Sequence, residues 1–513
     1  MNMEPSGWIA FYTPILLKLR IMKKGIYFFI ILTTCLNLIH AQSVEELPLF
    51  DISQLTYEGA FRIAASENGV SDINYSEGPI AYNYDNNSLF IVGHAHQQAI
   101  AEYAIPEIVK SEVLSELNMV ADPIQVFSQV LSKTTDGNPE GIDRVGGLYY
   151  INHGGQGKLI VNGYEYYDAP GDNTVSTLIV NDANAIENSQ VTGYFSFEGG
   201  AGHTSGWISP IPEAWQEILE GSHITGQSSG IPIISRLSVG PSAFSFEMNA
   251  ALNAENSIRT NTLLDFSLST PLHEDLSNDS KTNDLWTHLS RATYGFIVPG
   301  TRTYLTLGQS GGHESGICYK CTQDNGNLCG GYCTPQANDN YQYYWLWDMN
   351  DLVAVKNGTL PAHEVRPYDY GNFETPFQSN GSKSIGGASF DASTGNLYVS
   401  VKKGDTEQGT YARPPVIVIY NINGDVLTEN EPIAGINIII YPNPTSDKLY
   451  IEGIVSNSIV QITDMSGKSI KMVETDEATL ELDMSNLSTG MYVISVQIMG
   501  SDAVYMEKIV KRN

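Results

Sequence analysis

GPIAYN at residues 78–83 is followed by SLFIV at 88–92 and IAEYAI at 100–105, and these three runs decide the fold. Each run is rich in apolar, aromatic or β-branched residues, and turn-forming Asn, Asp or Gly residues lie between them, as in short strands joined by turns. The pattern returns at residues 387–391, 396–400 and 416–420. Both stretches predict strand, tight turn, strand, variable loop and strand, which is how one blade of a β-propeller is built.

Residues 146–152 and 158–161 fit a further copy of this pattern. Between residues 47 and 422, the middle region, helical periodicity is scarce and turn signals are frequent. The chain is therefore predicted to be all-β, with a β-propeller-like domain at residues 45–425. At roughly 40–55 residues per blade, six or seven blades would fit. The alternative is an irregular β-sandwich whose hairpins merely look alike.

Three short stretches of the middle region resemble an uncharacterised group of secreted bacterial β-propeller-like proteins. They are LTYEGAFR at residues 55–62, Gly93-His94, and VRPY at residues 365–368. The resemblance implies the same fold, but that group carries no activity that can be transferred to this chain.

The composition indicates an exported, soluble protein. The 513 residues are enough for a large domain and an accessory one, and 27 basic against 57 acidic residues give a formal charge of −30. A polyanion would have to bind against this field, so nucleic acid is not expected as a partner. The acidic surface is instead explained by solubility.

The chain begins with a predicted signal peptide. Lys23 and Lys24 precede an apolar run at residues 26–32, and small or polar residues lead to Ala41. We expect residues 1–41 to be a leader, Met22 to be the true start, and cleavage to follow Ala41. The alternative is a membrane anchor, but the apolar stretch at 25–39 is interrupted and shorter than the ~20 residues that a spanning helix needs. No transmembrane segment is expected in the mature protein.

The pattern changes after a predicted linker at residues 426–437. YPNPTSD at residues 441–447 holds the backbone extended, because each proline fixes its own φ and restricts the residue before it. Strands are predicted at residues 448–451, 460–463, 469–473, 479–483, 491–496 and 504–511. These strands predict a small β-sandwich at residues 438–513.

This segment resembles the type A C-terminal sorting domain of the type IX secretion system of Bacteroidota. The resemblance lies in YPNPTSD, in ITDMSGK at residues 462–468, in LSTGMYVISV at 487–496 and in the basic ending. Its motif residues are Tyr441, Pro442, Asn443, Pro444, Gly490, Lys508 and Lys511. The resemblance implies export through the secretion machinery, removal of the domain by a sortase, and release or attachment of the remainder at the cell surface. The alternative is an immunoglobulin-like binding module.

Four cysteines remain once Cys35 is removed with the leader: Cys318, Cys321, Cys329 and Cys333. An oxidising periplasm and a Gly- and Asn-rich loop favour two disulfides, whose connectivity cannot be derived from the sequence. The C-x2-C-x7-C-x3-C spacing also suits a structural zinc, with His313 as an additional ligand.

The histidines are the first candidates for chemistry. His94, His96, His153 and His203 lie at the ends of predicted strands beside glycines, where a side chain can face a cleft. An extended His94-Ala95-His96 segment would place both imidazoles on one face, a geometry compatible with metal ligation. The alternative for each is a surface or turn histidine with a local hydrogen bond.

Arginine and tyrosine supply the other candidates, because cations are scarce in this chain. The arginines are Arg62, Arg144, Arg291, Arg302 and Arg366. A guanidinium suits the carboxylate or sulfate of an acidic glycan, although it also pairs with surplus carboxylates. Aromatic rings for sugar stacking, or for packing between strands, are offered by Tyr149, Tyr150, Tyr164, Tyr166, Tyr167, Trp207, Trp215, Trp345 and Trp347.

These residues favour a surface-exposed or released β-propeller that binds an extracellular ligand such as a glycan. The alternatives are a polysaccharide lyase or hydrolase on the same scaffold, and an adhesion or matrix protein. Catalysis would fall to His94 and His153, with Arg144 as the carboxylate clamp. The ligand-binding candidates are His96, His203, Arg62 and Arg366.

Overall fold

The computed structural model describes residues 43–168, 170–229, 237–253, 257–378, 383–422, 438–443, 445–454, 457–464, 469–488, 490–498 and 504–512. The chain divides into two compact units, Met1–Glu46 and Leu47–Asn513. The predicted leader at residues 1–41 and linker at 426–437 lie outside the described residues. In the first unit the described part holds a 3₁₀ turn at Val44–Glu46.

Strands are the predominant regular structure of the middle region, so the predicted all-β class is confirmed. In chain order the strands are β1 Leu55–Ile63, β2 Ile80–Asn83, β3 Ser88–Val92, β4 Ile100–Ala104, β5 Met119–Val120, β6 Gln125–Ser128, β7 Arg144–His153, β8 Gln156–Tyr164, β9 Thr177–Val180, β10 Val191–Phe197, β11 Ile208–Pro210, β12 His223–Thr225, β13 Ala243–Phe246, β14 Ser257–Ile258, β15 Asn261–Leu264, β16 Arg291–Ile297, β17 Thr303–Gly311, β18 Cys318–Tyr319, β19 Tyr332–Cys333, β20 Asn340–Asp348, β21 Asp369–Asn372, β22 Ile385–Asp391, β23 Asn396–Val401 and β24 Val416–Ile422.

Helices are short and few among the described residues. They are Ala201–Thr204, Glu213–Leu219, Met248–Leu252 and Met349–Lys356, with 3₁₀ turns at Ile52–Gln54, Leu114–Glu116 and Ala362–Glu364. None of the helices in this part of the chain has the length and apolar character that a bilayer crossing requires.

The strands form five sheets of four or five strands, together with the small β18-β19 pair. Their orders are β2-β3-β4-β6, β7-β8-β9-β10-β14, β11-β12-β13-β15, β16-β17-β20-β21 and β22-β23-β24-β1-β5. In the last sheet the early strand β1 pairs antiparallel with β24, so both ends of the middle region meet in one sheet. The six or seven blades that the sequence predicts are not confirmed, because the described residues form five such sheets.

The five sheets are arranged in a ring around their first strands. β2 lies against β7, β7 against β11, β11 against β16, β16 against β22, and β22 against β2. One narrow cavity is lined by residues at or near the beginning of all five strands, including Ile80, Gly147, Trp207, Thr293 and Gly387. The five inner strands therefore start at the same end of the ring and run in the same direction.

Glycines let these inner strands approach each other closely. A Cβ placed on Gly78 would lie 2.6 Å from the Cα of Gly386, and one placed on Gly146 would lie 2.1 Å from the Ser205 carbonyl oxygen. No larger residue fits at such a contact without moving the backbone. The centre of the ring is consequently packed rather than open.

Apolar side chains from neighbouring sheets fill the spaces between the sheets. Phe90 and Ile100 pack in one cluster with Leu148, Val161 and Leu178 of the next sheet. Apolar clusters cover both faces of the β2-β3-β4-β6 sheet, so β3 is buried along its whole length. This explains why the strands appear in the sequence as continuous apolar runs rather than as alternating ones.

The C-terminal segment contains two further sheets. Its strands are β25 Ile439–Tyr441, β26 Lys448–Glu452, β27 Ser458–Asp464, β28 Ser469–Thr475, β29 Thr479–Asp483, β30 Gly490–Ile498 and β31 Val504–Lys511. They form the orders β25-β26-β29 and β28-β27-β30-β31. Leu449 and Ile451 of one sheet share a core with Ile462, Ile494 and Ile509 of the other. The sequence predicted these strands except β25.

Candidate functional site

Two kinds of connection reach the end of the ring where the inner strands begin, which we call the front face. They are the segments before each inner strand and the loops between the second and third strands, because consecutive strands in each sheet are antiparallel. The opposite end, the back face, carries the hairpins between the first and second strands. Side chains near the beginning of an inner strand therefore lie at the front face of the ring, and side chains near its end lie at the back face.

Charged side chains from four sheets converge on the front face. Glu77 precedes β2, Arg144 and Arg291 begin β7 and β16, and Lys402 follows β23. Lys402 Nζ donates to Glu77 Oε2 at 3.0 Å. The pKa of Glu77 is lowered to about 2, mainly by the Lys402 ammonium and also by Arg291 and Arg144, against the opposing effect of burial. Glu77 is thus ionised and surrounded by cations.

Two tyrosines flank the guanidinium groups. Arg291 Nη2 donates to Tyr164 Oη at 3.0 Å, and Arg144 Cζ lies 5.1 Å from the centroid of the Tyr166 ring. Such contacts hold a guanidinium in place without neutralising it. The tyrosine contacts therefore leave both guanidinium charges unneutralised, although Arg144 also pairs with the Asp143 carboxylate.

Positive charge is in excess at this site. Lys403, next to Lys402, has a pKa lowered by burial and by the charges of Lys402 and Arg413. We call Arg144, Arg291, Lys402 and Lys403, arranged around Glu77, the cationic cluster. Asp143 provides a second carboxylate, 3.2 Å from Arg144 Nη1, but its side chain is 49% exposed. The chain as a whole has a formal charge of −30, so this local excess is exceptional.

A pocket adjoins the cationic cluster on the side of its tyrosines. Tyr164, Tyr166 and Leu237 form its apolar wall, and Glu165, Asp168 and Asn173 also line it. Tyr164 and Tyr166 therefore belong to both the pocket and the surroundings of the two arginines.

His94 and His96 do not lie on an extended strand, so that part of the prediction is wrong. The amides of Gln97 and Gln98 donate to the His94 carbonyl oxygen, which closes a turn after β3. The two rings lie 5.1 Å apart, and the His96 amide donates to His94 Nδ1 at 3.2 Å. The lone pair of His94 Nδ1 is thus already engaged. The loop does reach the front face, where Gln98 Oε1 accepts from the Val145 amide.

His153 and Arg144 are separated by the whole length of β7. His153 is exposed at the last position of this ten-residue strand, on the back face. At about 3.3 Å per residue the two ends are roughly 30 Å apart. The structure therefore does not bring His153 into one site with His94 and Arg144.

The remaining ligand-binding candidates have local partners. Arg62 Nε and Nη2 donate to the two oxygens of buried Asp405 at 2.7 and 3.0 Å. His203 Nδ1 contacts Asp265 Oδ1. Arg366 is exposed on the back face and donates to the carbonyl oxygen of His363. None of the three belongs to the cationic cluster.

The cysteines are joined as two disulfides, Cys318–Cys321 and Cys329–Cys333. The same sulfurs also converge, since Cys321 and Cys333 Sγ lie 3.4 Å apart. In the described ranges, Cys318, Cys321 and Cys333 are the one group of three or more His, Cys, Asp or Glu residues whose ligand atoms lie within 4.8 Å. As reduced thiols these three residues would supply three of the four ligands that a structural zinc takes, and zinc remains the alternative.

His313, the expected additional zinc ligand, is outside that group. Its Nε2 lies 2.7 Å from Ser310 Oγ, and Ser310 Oγ also lies 2.7 Å from Ser290 Oγ. A serine beside a histidine resembles a nucleophile and its base. Ser310 is only 2% exposed, however, so this contact belongs to a buried polar network.

The predicted sorting motif spans the first and last strands of the C-terminal segment. Tyr441 Oη donates to Glu452 Oε1, and Gly490 pairs with Lys511 across β30 and β31. Lys511 is buried, and Lys508 lies opposite Val493 in the same pair of strands. Pro442 and Asn443 follow β25, whereas Pro444 lies outside the described residues.

Residues 439–512 match the family model described as the secretion system C-terminal sorting domain. This segment belongs to that family. The sorting domain directs the protein through the type IX secretion system to the outer cell surface or the medium, so the predicted localisation is confirmed. The match begins one residue after the predicted start at 438.

Two solved structures are similar to the chain. One is PorZ, a bacterial surface component of the type IX secretion system of Porphyromonas gingivalis, with a TM-score of 0.25 and 14% identity. The alignment covers 87% of this chain and 53% of PorZ, so the chain spans about half of that protein. The other is a Bombyx mori GH32 β-fructofuranosidase in complex with sucrose, with a TM-score of 0.29, 10% identity, and coverage of 97% and 95%. Because both TM-scores are low, neither similarity assigns a function. The chain matches no curated protein.

Glu77, Lys402 and Lys403 escaped the sequence reasoning. They lie immediately before an inner strand or after a second strand, at the positions that reach the front face. A charged residue just before a first strand or just after a second strand of the repeated pattern could have indicated the site. Arg144 and Arg291 are charged residues of this kind, at the beginning of two inner strands.

Proposed function

We propose that the middle region is a five-bladed β-propeller that binds an anionic extracellular ligand, such as an acidic glycan, at the cationic cluster. The observation that carries the proposal is the excess of Arg and Lys around Glu77 at the centre of the front face. Guanidinium and ammonium groups bind carboxylate and sulfate through charge-assisted hydrogen bonds. Partial burial of Lys402, whose side chain is 17% exposed, limits the screening of such bonds by salt.

The ring also supports binding at this place. Inner strands packed through Gly78, Gly146 and Gly386 keep the cluster on a rigid base. Loops from different sheets supply the charged groups, which is a common way for a rigid scaffold to position a binding site. Rigid placement reduces the entropy that the site loses when a ligand binds.

The proposal is tested with the secreted protein and a panel of polysaccharides. Affinity electrophoresis would compare polygalacturonate, alginate and a sulfated galactan with neutral dextran. We expect retardation by the acidic polymers only, and at least tenfold weaker binding for Lys402→Gln. Arg366→Gln on the back face is the matched control and should bind as the wild type does. Equal binding of neutral and acidic polymers, or an unaffected Lys402→Gln, would overturn the proposal.

A lyase at the same site is the second candidate, because Arg291 places its guanidinium against the Tyr164 hydroxyl. In a β-elimination the guanidinium would neutralise the uronate carboxylate while Tyr164, as its phenolate, takes the proton α to that carboxylate. A carbon–carbon double bond would form as the β C–O glycosidic bond breaks, and the leaving sugar oxygen would take the proton back from the tyrosine. Absorbance of unsaturated products would rise on incubation with polygalacturonate, and Tyr164→Phe would abolish the rise. Binding without any unsaturated product would contradict the lyase and would leave the binding proposal standing.

The domain plan is part of the proposal. It comprises the leader at residues 1–41, the propeller at 45–425, the linker at 426–437 and the sorting domain at 438–513, with the secretion machinery and its sortase as partners. Deleting residues 438–513 should retain the protein in the periplasm, and mass spectrometry of the secreted form should find Gln42 first. Undiminished secretion of the truncated protein would contradict this plan.

A further inference from the structure

The four cysteines of the middle region lie in one short hairpin, within the excursion between β17 and β20. The pairing of β18 with β19 places Cys318 directly opposite Cys333, and the Cys329 amide donates to the Cys321 carbonyl oxygen at 3.0 Å. The backbone therefore brings the cysteines together across the hairpin. The two disulfides run instead along its sides, Cys318–Cys321 on one and Cys329–Cys333 on the other. We call this arrangement the side pairing.

The sulfurs of the two disulfides are close enough to react with one another. Cys333 Sγ lies 3.4 Å from Cys321 Sγ and 3.7 Å from Cys318 Sγ. Exchange between disulfides requires such proximity, because a thiolate attacks a disulfide sulfur directly. Cys329 Sγ does not belong to the group of three sulfurs that lie within 4.8 Å of one another. Cys333 is therefore the sulfur through which the two disulfides can exchange partners.

Contacts other than the disulfides hold the hairpin closed. The Lys320 amide donates to the Gly331 carbonyl oxygen at 2.8 Å, between the two sides. Tyr332 stacks on His288, with ring centroids 4.5 Å apart, and so attaches the hairpin to the segment before β16. These contacts would keep the cysteines together while a disulfide is open.

The two disulfides differ in their exposure to a thiol from solvent. Cys318 and Cys321 are both half-buried, and Tyr319 and Lys320 between them are exposed. Cys329 is buried, with 9% of its surface exposed. A small thiol can thus reach the Cys318–Cys321 disulfide more easily than the sulfur of Cys329.

We infer that a monothiol converts the side pairing into a cross pairing, Cys318–Cys333 and Cys321–Cys329, without net oxidation or reduction. The external thiolate attacks Cys321 Sγ, forms a mixed disulfide there and releases the Cys318 thiolate. Cys318 then attacks Cys333 Sγ, and the Cys329 thiolate leaves. Cys329 finally attacks the mixed disulfide at Cys321, which releases the external thiolate unchanged. The cross pairing is the one that agrees with the strand register.

The two pairings constrain the hairpin differently. Cys318–Cys321 joins residues separated by 3 positions on one side, whereas Cys318–Cys333 would join residues separated by 15 across it. A crosslink that closes a longer loop removes more conformational freedom from the open chain. Since the excursion follows a second strand, the exchange would stiffen a connection of the front face. This inference is independent of the proposed function.

Disulfide mapping of the secreted protein tests the inference. Cleavage after Lys320, before Asp324 and after Tyr332 leaves the four cysteines on separate peptides, so each pairing gives its own masses. We expect the side pairing before incubation, and both pairings after incubation with a low concentration of 2-mercaptoethanol at about pH 8. The protein should gain no free thiol, because the external thiol is regenerated. A single pairing that incubation leaves unchanged, or four free thiols in the secreted protein, would overturn the inference.

Two variants isolate the role of Cys333. Cys329→Ser leaves Cys333 as a free thiol beside the Cys318–Cys321 disulfide, so the free thiol should redistribute among the three sulfurs without an added thiol. Cys333→Ser is the matched control, because it leaves the thiol on Cys329, outside the group of close sulfurs. Alkylation and peptide mapping should find at least about tenfold more label on Cys318 and Cys321 in Cys329→Ser than in the control. Label confined to Cys333 in Cys329→Ser would contradict the exchange.

Discussion

The chain places arginine in two contrasting settings, the Arg62–Asp405 pair and the cationic cluster. Arg62 is matched by one buried carboxylate through two hydrogen bonds. In the cluster, four cations share Glu77 and the more exposed Asp143. Lys402 pairs with Glu77 and Arg144 with Asp143, whereas Arg291 has no salt bridge among the described residues and donates to the Tyr164 hydroxyl. The difference separates arginines that hold the fold from arginines that are available to a ligand.

The largest effect is expected from breaking the matched pair. Arg62→Met would leave the Asp405 carboxylate, which is 0% exposed, without its counter-ion. We expect the free energy of unfolding to fall by roughly 3–5 kcal/mol, because a buried charge is left uncompensated. Chemical denaturation would measure the loss. Ligand binding by the remaining folded protein should be unchanged, and weakened binding would remove the distinction between the two settings.

A substitution in the cationic cluster should have a smaller effect, and it should lower ligand affinity rather than stability. Arg291→Gln removes a charged donor whose only described side-chain hydrogen bond is to the Tyr164 hydroxyl. Affinity for an acidic oligosaccharide should fall by roughly 1.5–3 kcal/mol, or about 10- to 150-fold, in calorimetric titration. Arg366→Gln serves as the control. A large drop in stability with unchanged affinity would place Arg291 with Arg62 as a structural residue.

His223 provides a further contrast, because it is a buried base that does not belong to the cationic cluster. His223 of β12 is 7% exposed, with Nε2 2.9 Å from Tyr149 Oη, and burial lowers its pKa from 6.5 to about 3. The folded state holds this histidine neutral, so its contribution to stability is complete above about pH 6.5 and is lost as the pH falls toward 3.

For His223 the loss between pH 7 and pH 5 should be about 2 kcal/mol. Denaturation curves would give the free energy of unfolding at the two pH values for the wild type and for His223→Gln. The wild type should lose about 2 kcal/mol more than the variant between pH 7 and pH 5. Equal pH dependence in both proteins would contradict the assignment.

The smallest effect is expected at Glu77. Glu77→Gln removes a carboxylate that competes with the ligand for Lys402, so affinity for acidic oligosaccharides should rise several-fold, or by about 1 kcal/mol. The variant should be less stable at neutral pH, since the ionised form is favoured. The difference should shrink as the pH falls from 4.5 toward 2, because the wild-type carboxyl then becomes protonated. Weaker binding by the variant would mean that Glu77 contacts the ligand directly.

Local sequence patterns predicted much of the fold. The repeated runs at residues 78–105 and 387–420 became the corresponding strands of two neighbouring sheets, β2-β3-β4 and β22-β23-β24. The sorting domain was predicted because its prolines, turns and strands are consecutive in the chain. The predicted six or seven blades are not confirmed, and such a count is difficult to derive from the sequence because connections differ in length, as the long excursion between β17 and β20 shows.

The site was predicted only in part, because it depends on ring closure. Arg144 and Arg291 were recognised as scarce cations, but Glu77 and Lys402 are brought together only when the first and last sheets meet. Residue spacing gives no sign of such a contact. His153 was misleading for the converse reason, since it is close to Arg144 in sequence and yet lies at the other end of an extended strand.

A crystal structure of the secreted protein with a bound acidic oligosaccharide tests the central claim most directly. It should place the carboxylate or sulfate within hydrogen-bonding distance of Arg291 and Lys402 on the front face. A ligand bound at another surface, or a cluster without an anion at saturating ligand concentration, would contradict the claim.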